Sequence, residues 1–125
     1  MTYLPTAGED ASPWRDDLAE LAQGEMQEDG TREWLVPPER LEQGRVLCEV
    51  IEKWGYAPEV IPEPRDGLTI EWHEPLHDGL CTIVLAADRY AWCYESGRGR
   101  ARQGACPTAR EAMKILRGFL PRATA

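Results

Sequence analysis

Between Leu68 and Glu95 apolar and polar residues alternate, as they do along three consecutive strands of an antiparallel sheet. Leu68, Ile70 and Trp72 stand two apart, with Thr69, Glu71 and His73 between them. A turn region containing Pro75, His77, Asp78 and Gly79 follows, and Cys81, Ile83 and Leu85 then repeat the pattern. After Ala87-Asp88-Arg89, Trp92 and Tyr94 continue it. Simple hairpin register places Leu68, Ile70, Trp72, Ile83, Leu85, Trp92 and Tyr94 on one face. Thr69, Glu71, Thr82, Val84 and Cys93 then share the other, wet face.

The flanking segments carry a helical period instead. Ser12-Pro13 reads as a helix start, Ser12 the cap and Pro13 the first helical residue. Trp14, Leu18 and Leu21 form a narrow apolar stripe, and Gly24 ends it. Gly24 to Thr31 is an acidic connection, and Trp34, Leu35 and Val36 follow, either packed beside the next helix or forming an exposed docking segment. The strongest helix runs from about Pro38 to Trp54, with Leu41, Leu47, Val50, Ile51 and Trp54 on one side and Gly55 as its C-terminal cap. Prolines 58, 62 and 64 predict an extended connector, and Arg65-Asp66-Gly67 a turn. Residues 97–104 read as a flexible basic loop or an irregular fourth strand. Thr108 caps a last helix with Ala112, Ile115, Leu116 and Phe119 along its apolar face.

The fold expected is α+β: an antiparallel three- to four-stranded sheet with a long helix before it and a helix after it, ordered α-α-β-β-β-α, the helices covering one face. Residues 1–12 are expected to be a flexible tail and 13–125 a single domain. Trp72, Ile83, Leu85, Trp92 and Ile115 are the expected core.

Charge divides the chain. Residues 1–66 hold 16 acidic and 6 basic side chains (−10), and residues 67–125 hold 6 acidic and 8 basic (+2), together the net −8. The acidic half repels a phosphate backbone and suits basic protein partners. No stretch approaches the roughly 20 apolar residues of a membrane span. Met1-Thr2-Tyr3-Leu4-Pro5 lacks the basic and apolar regions of a signal peptide, so a soluble cytoplasmic protein is expected. Cys48, Cys81, Cys93 and Cys106 are 33, 12 and 13 residues apart, without a Cys-x-x-Cys pair, so reduced thiols are expected and neither a zinc ribbon nor a thioredoxin site.

The stretch from Pro58 to Tyr94 resembles small, mostly uncharacterised prokaryotic and phage-encoded proteins. The residues that carry the resemblance are Val60-Ile61-Pro62, Asp66-Gly67-Leu68-Thr69-Ile70-Glu71-Trp72 and Ala87-Asp88-Arg89. Arg89 stands where such proteins often have glycine. The resemblance implies the hairpin fold and a mobile-element origin, and implies no catalytic residue.

Three constellations invite chemistry. His73-Glu74-Pro75-Leu76-His77 has the letters of a His-Glu-x-x-His zinc motif, the basis of a metal-dependent hydrolase reading. That motif needs a helix, and Pro75 and Asp78-Gly79 predict a hairpin loop. Arg98, Arg100 and Arg102, with Trp92 and Tyr94 to stack on bases, suggest a nucleic-acid module. The helix–strand–strand–strand–helix order also resembles a double-stranded-RNA-binding domain. The lysine-rich contact which that resemblance implies at the last helix is replaced by Ala109, Arg110 and Glu111. Asp16-Asp17 and Glu28-Asp29 read as solvated carboxylates, Cys106 beside Pro107 as an ordinary thiol without a base, and Cys48 as a core residue. The leading expectation is a non-enzymatic module without metal or cofactor that binds a protein with a basic surface. Trp14, Glu20, Glu25, Glu28, Asp29 and Trp34 are its expected contacts, aromatic anchors in a charged rim. A mobile-element inhibitor of a basic, nucleic-acid-handling host enzyme fits this description, as do an immunity protein and a chaperone.

Overall fold

A computed structural model of the chain describes residues 13–63 and 66–121. The tail expected over residues 1–12, the Ser12 cap and residues 64 and 65 of the connector and turn lie outside them.

Helix α1 spans Pro13–Gln23 and buries Trp14 and Leu18. Two short strands follow, β1 (Glu25–Met26) and β2 (Arg32–Glu33), paired antiparallel as a separate hairpin. Helix α2 spans Pro38–Lys53. Its end is a Schellman closure: Gly55 N–H donates to the Glu52 carbonyl (2.9 Å) and Tyr56 N–H to that of Ile51 (3.2 Å). Five strands then form one antiparallel meander: β3 (Glu59–Glu63), β4 (Gly67–Glu74), β5 (Gly79–Leu85), β6 (Tyr90–Glu95) and β7 (Ala101–Cys106), in that spatial order. Helix α3, Ala109–Phe119, closes the fold, the Thr108 hydroxyl accepting from Glu111 N–H at 3.2 Å.

The α+β class and the three helices follow the expectation, but the sheet is larger. The proline-containing connector is an edge strand, β3, paired with β4 from Glu59↔Glu71 to Glu63↔Gly67. Pro62 is compatible with this because an edge strand has one side free of ladder bonds. Residues 97–104 are neither a loop throughout nor irregular; after a short turn they enter β7, paired with β6 over six residues.

Alternation sets the register as expected. Ile70 lies opposite Ile83, which lies opposite Trp92, and the helices cover that face. Leu68, Ile70, Ile83 and Leu85 are fully buried and Trp72 is 1% exposed. Gly44 lets α2 approach this closely, because a Cβ there would sit 2.5 Å from Leu68 Cδ2. The helix propensity lost, about 1 kcal/mol, is exchanged for contact between α2 and β4.

Three positions depart from the expected core and wet face. Trp92 is only half-buried, and Ile115 is 37% exposed, with Met113 buried in its place. Adjacent helical residues point about 100° apart, and α3 turns Ala112, Met113 and Leu116 to the sheet. Thr69, expected on the wet face, is 5% exposed, and its hydroxyl donates to Glu63 Oε1 at 2.8 Å. The cause is β3, which covers that side of β4. Thr69→Ala is therefore expected to cost about 1 kcal/mol, the usual net worth of one hydrogen bond; urea denaturation measures it against Glu71→Gln.

Candidate functional site

The hairpin β1–β2 folds back onto the end of α1 and completes that helix. The Trp34 indole N–H donates to the Ala22 carbonyl (2.9 Å), and the Arg32 guanidinium donates to that of Gln23. Two of the carbonyls a helix end leaves without partners are thereby satisfied. Gly24 makes the reversal at φ +66°, and a Cβ there would lie 2.8 Å from the Glu33 carbonyl oxygen and 2.9 Å from Trp34 Nε1. Left-handed backbone and close packing both require glycine here. At the hairpin tip Asp29 accepts from Thr31 N–H (2.9 Å) and hydroxyl (2.6 Å), bonds that hold its carboxyl below the ordinary range.

This arrangement opens a groove of about 620 Å³ between the end of α1, the hairpin and the start of β4. Glu20, Glu25, Glu33 and Asp66 supply four carboxylates to its walls, Trp34 and Leu35 supply apolar surface, and no basic residue among those described lines it. Glu25 and Glu33 stand directly opposite each other in the ladder, a like-charge pairing that destabilises a hairpin. Trp34 is 39% exposed, Leu35 60% and the neighbouring Met26 58%. The result is an apolar patch inside an acidic rim.

Of the six expected contact residues, the groove brings together Glu20, Glu25 and Trp34. Glu28 and Asp29 are exposed nearby on the hairpin turn without lining it. Trp14 is a correction: at 1% exposure it belongs to the core between α1 and α2, because the stripe it forms with Leu18 is what docks α1. Leu35 belongs to the Trp34–Val36 segment whose sequence allows either packing or docking, whereas Glu33 and Asp66 were missed by sequence reasoning, Asp66 because it arrives from a distant turn and carries no local signal.

The histidine motif takes a different form from a zinc site. His73 and Glu74 end β4 and point to opposite faces, while His77 lies in the following turn. His73 Nε2 meets Asp78 Oδ1 at 2.8 Å. Glu74 lies on the core face, with no exposed surface. It accepts from His77 N–H at Oε2 (2.9 Å), from His77 Nδ1–H at Oε1 (2.7 Å) and from the Tyr94 hydroxyl at 3.5 Å. Burial by itself pushes the Glu74 carboxyl up, but the bonds from His77 and its charge hold it below the ordinary glutamate range. The helical geometry on which the metal-hydrolase reading depends is not formed.

The stacking residues of the nucleic-acid reading are turned inward. Tyr94 is 9% exposed and stacks on Phe119 (centroids 5.2 Å, planes 6° apart), and Trp92 packs on the same ring at 5.7 Å. Arg98, Arg100 and Arg102 are exposed, Arg102 lying 5.8 Å over the Phe119 ring. All four cysteines are free thiols; burial pushes Cys48 and Cys81 up to about 12, and Cys106 is buried as well. No helix among the described residues is long and apolar enough to cross a membrane.

No protein-family model matches the chain, and neither a curated protein nor a solved structure matches it.

Proposed function

We propose that the chain is a non-enzymatic binding module whose groove docks a basic segment of another protein. The observation that carries this reading is the convergence of four carboxylates from three separate elements around exposed Trp34 and Leu35. A lysine- or arginine-bearing segment would relieve the Glu25–Glu33 opposition. Its apolar neighbours would cover Leu35, the aromatic-and-charge combination that gives compact interfaces both anchoring and orientation. The net charge of −8 adds long-range attraction for a basic partner. Inhibition of a basic nucleic-acid-handling enzyme, by occupying the surface its substrate would use, is the specific role that this charge and the mobile-element resemblance favour.

The test is charge reversal at Glu20, Glu25, Glu33 and Asp66, compared with the unaltered chain in recovery of partners from the native host. Partner recovery is expected to collapse, since each close charge pair lost costs about tenfold or more in affinity. Trp34→Ala is the weaker probe, because its indole also closes α1. Unchanged recovery of every partner refutes the reading. Binding of DNA or RNA at low salt that disappears in Arg98→Ala/Arg100→Ala/Arg102→Ala would favour the nucleic-acid alternative instead.

A further inference from the structure

We propose that β7 is the surface through which two copies of this chain pair, antiparallel and edge to edge, joining their two five-stranded sheets into one. The two edges of the sheet are unlike. β3 contains Pro62, and Val60 and Pro62 lie beside α1 residues Asp17, Glu20 and Leu21. β7 has no proline and no acidic residue, among the described residues no strand pairs with its outer edge, and Ala101, Arg102, Gln103 and Ala105 are exposed. An open edge of this kind is a template for another strand.

The direction of its free groups follows from the hairpin. Ser96 N–H donates to the Arg100 carbonyl (2.8 Å) and Gly99 N–H to that of Ser96 (2.9 Å), so 96 and 100 form a bonded pair. Bonded and non-bonded pairs alternate along an antiparallel ladder. Tyr94↔Arg102, Trp92↔Gly104 and Tyr90↔Cys106 are therefore the bonded pairs with β6. The N–H and C=O groups of Ala101, Gln103 and Ala105 point outward.

A second copy satisfies these groups without conflict. With a two-fold axis at Gln103, that residue faces its own counterpart, and Ala101 faces Ala105 of the second copy. Those are the outward-directed residues, so each of these pairs exchanges both backbone bonds. Arg102 then faces Gly104 rather than another arginine, and the two Gln103 amides can bond each other on the open face. Charge favours the same choice. The acidic groove lies toward β3, through Glu20 of α1 and Asp66 at the start of β4. Pairing through β7 therefore keeps the acidic ends of two −8 chains far apart, where pairing through β3 would oppose them. Exposed Ile115 lies one turn before Phe119, the residue that Arg102 of β7 covers, so it stands on the β7 flank of α3. If the grooves dock a basic partner as read above, the pair presents one at each end and binds bivalently.

Sedimentation of the full chain over about 1–300 µM, the range of weak to moderate association, is expected to show mass rising from monomer to dimer. Gln103→Pro should remain monomeric with unchanged circular dichroism, because the N–H it removes belongs only to the second copy's ladder. In the unaltered chain, amide exchange at Ala101, Gln103 and Ala105 should slow as concentration rises; this measurement carries the test should the proline variant fail to fold. A chain monomeric throughout overturns the proposal and leaves the edge to a strand of a different protein. A dimer that survives Gln103→Pro, or one without added protection at those three amides, overturns it equally.

Discussion

Trp72→Ala is expected to cost about 3–5 kcal/mol, the range for removing a large aromatic from a packed interior. Trp72 is 1% exposed and meets Trp54 edge to face, centroids 6.3 Å apart and planes at 63°. Its neighbour across the ladder is buried Cys81. The indole joins the end of α2 to the middle of the sheet, so truncation leaves a cavity between two layers that cannot collapse without moving a helix. Its N–H has no acceptor among the described residues, so the loss is one of packing and burial. Ile115→Ala provides the contrast: at 37% exposure it should cost well under half as much. Urea denaturation followed by far-UV circular dichroism measures both. Similar costs for the two would place α3 differently on the sheet.

Acid should weaken the fold through Glu74. Its carboxyl is held below its ordinary value of 4.5 in the folded chain, so the unfolded chain binds the proton more readily as pH falls. The stabilisation is complete above the ordinary value and is lost as pH drops through the lower, folded one. Glu74→Gln should therefore flatten the acid limb of a stability–pH curve, while Asp29 and Glu42, also shifted down by Thr31 and Arg45 respectively, keep their own shares. Glu74→Ala removes the acceptor for His77 and Tyr94, and should cost about 1.5–3 kcal/mol at neutral pH, as for hydrogen bonds to a charged group. An unchanged acid limb in Glu74→Gln would show that the carboxylate is solvated rather than enclosed.

Glu74 also shows how a strong pattern hides an exception. Parity along β4 places it with Leu68, Ile70 and Trp72, yet its charge and its place in a metal-like motif direct attention outward. The turn after it supplies the partners. Only when residues 75–78 fold back does His77 reach the carboxylate, and only when β6 pairs with β5 does Tyr94 arrive above it.

The sequence by itself determined the three helices, the first two with their glycine ends, the register of β4, β5 and β6, and which face of the sheet is buried. Those features depend on residues within a few positions of one another: periods of two and of three to four, a proline, a cap. It also determined that the first half is acidic. What only the tertiary structure decided depends on residues far apart in the chain. The connector became β3 because the strand from Gly67 to Glu74 offered it an edge. Trp14 left the surface because α2 was there to receive it, and Thr69 was covered by that same β3. The acidic groove exists because Asp66 returns to the end of α1 after the whole of α2 has intervened, a meeting that carries no local signature.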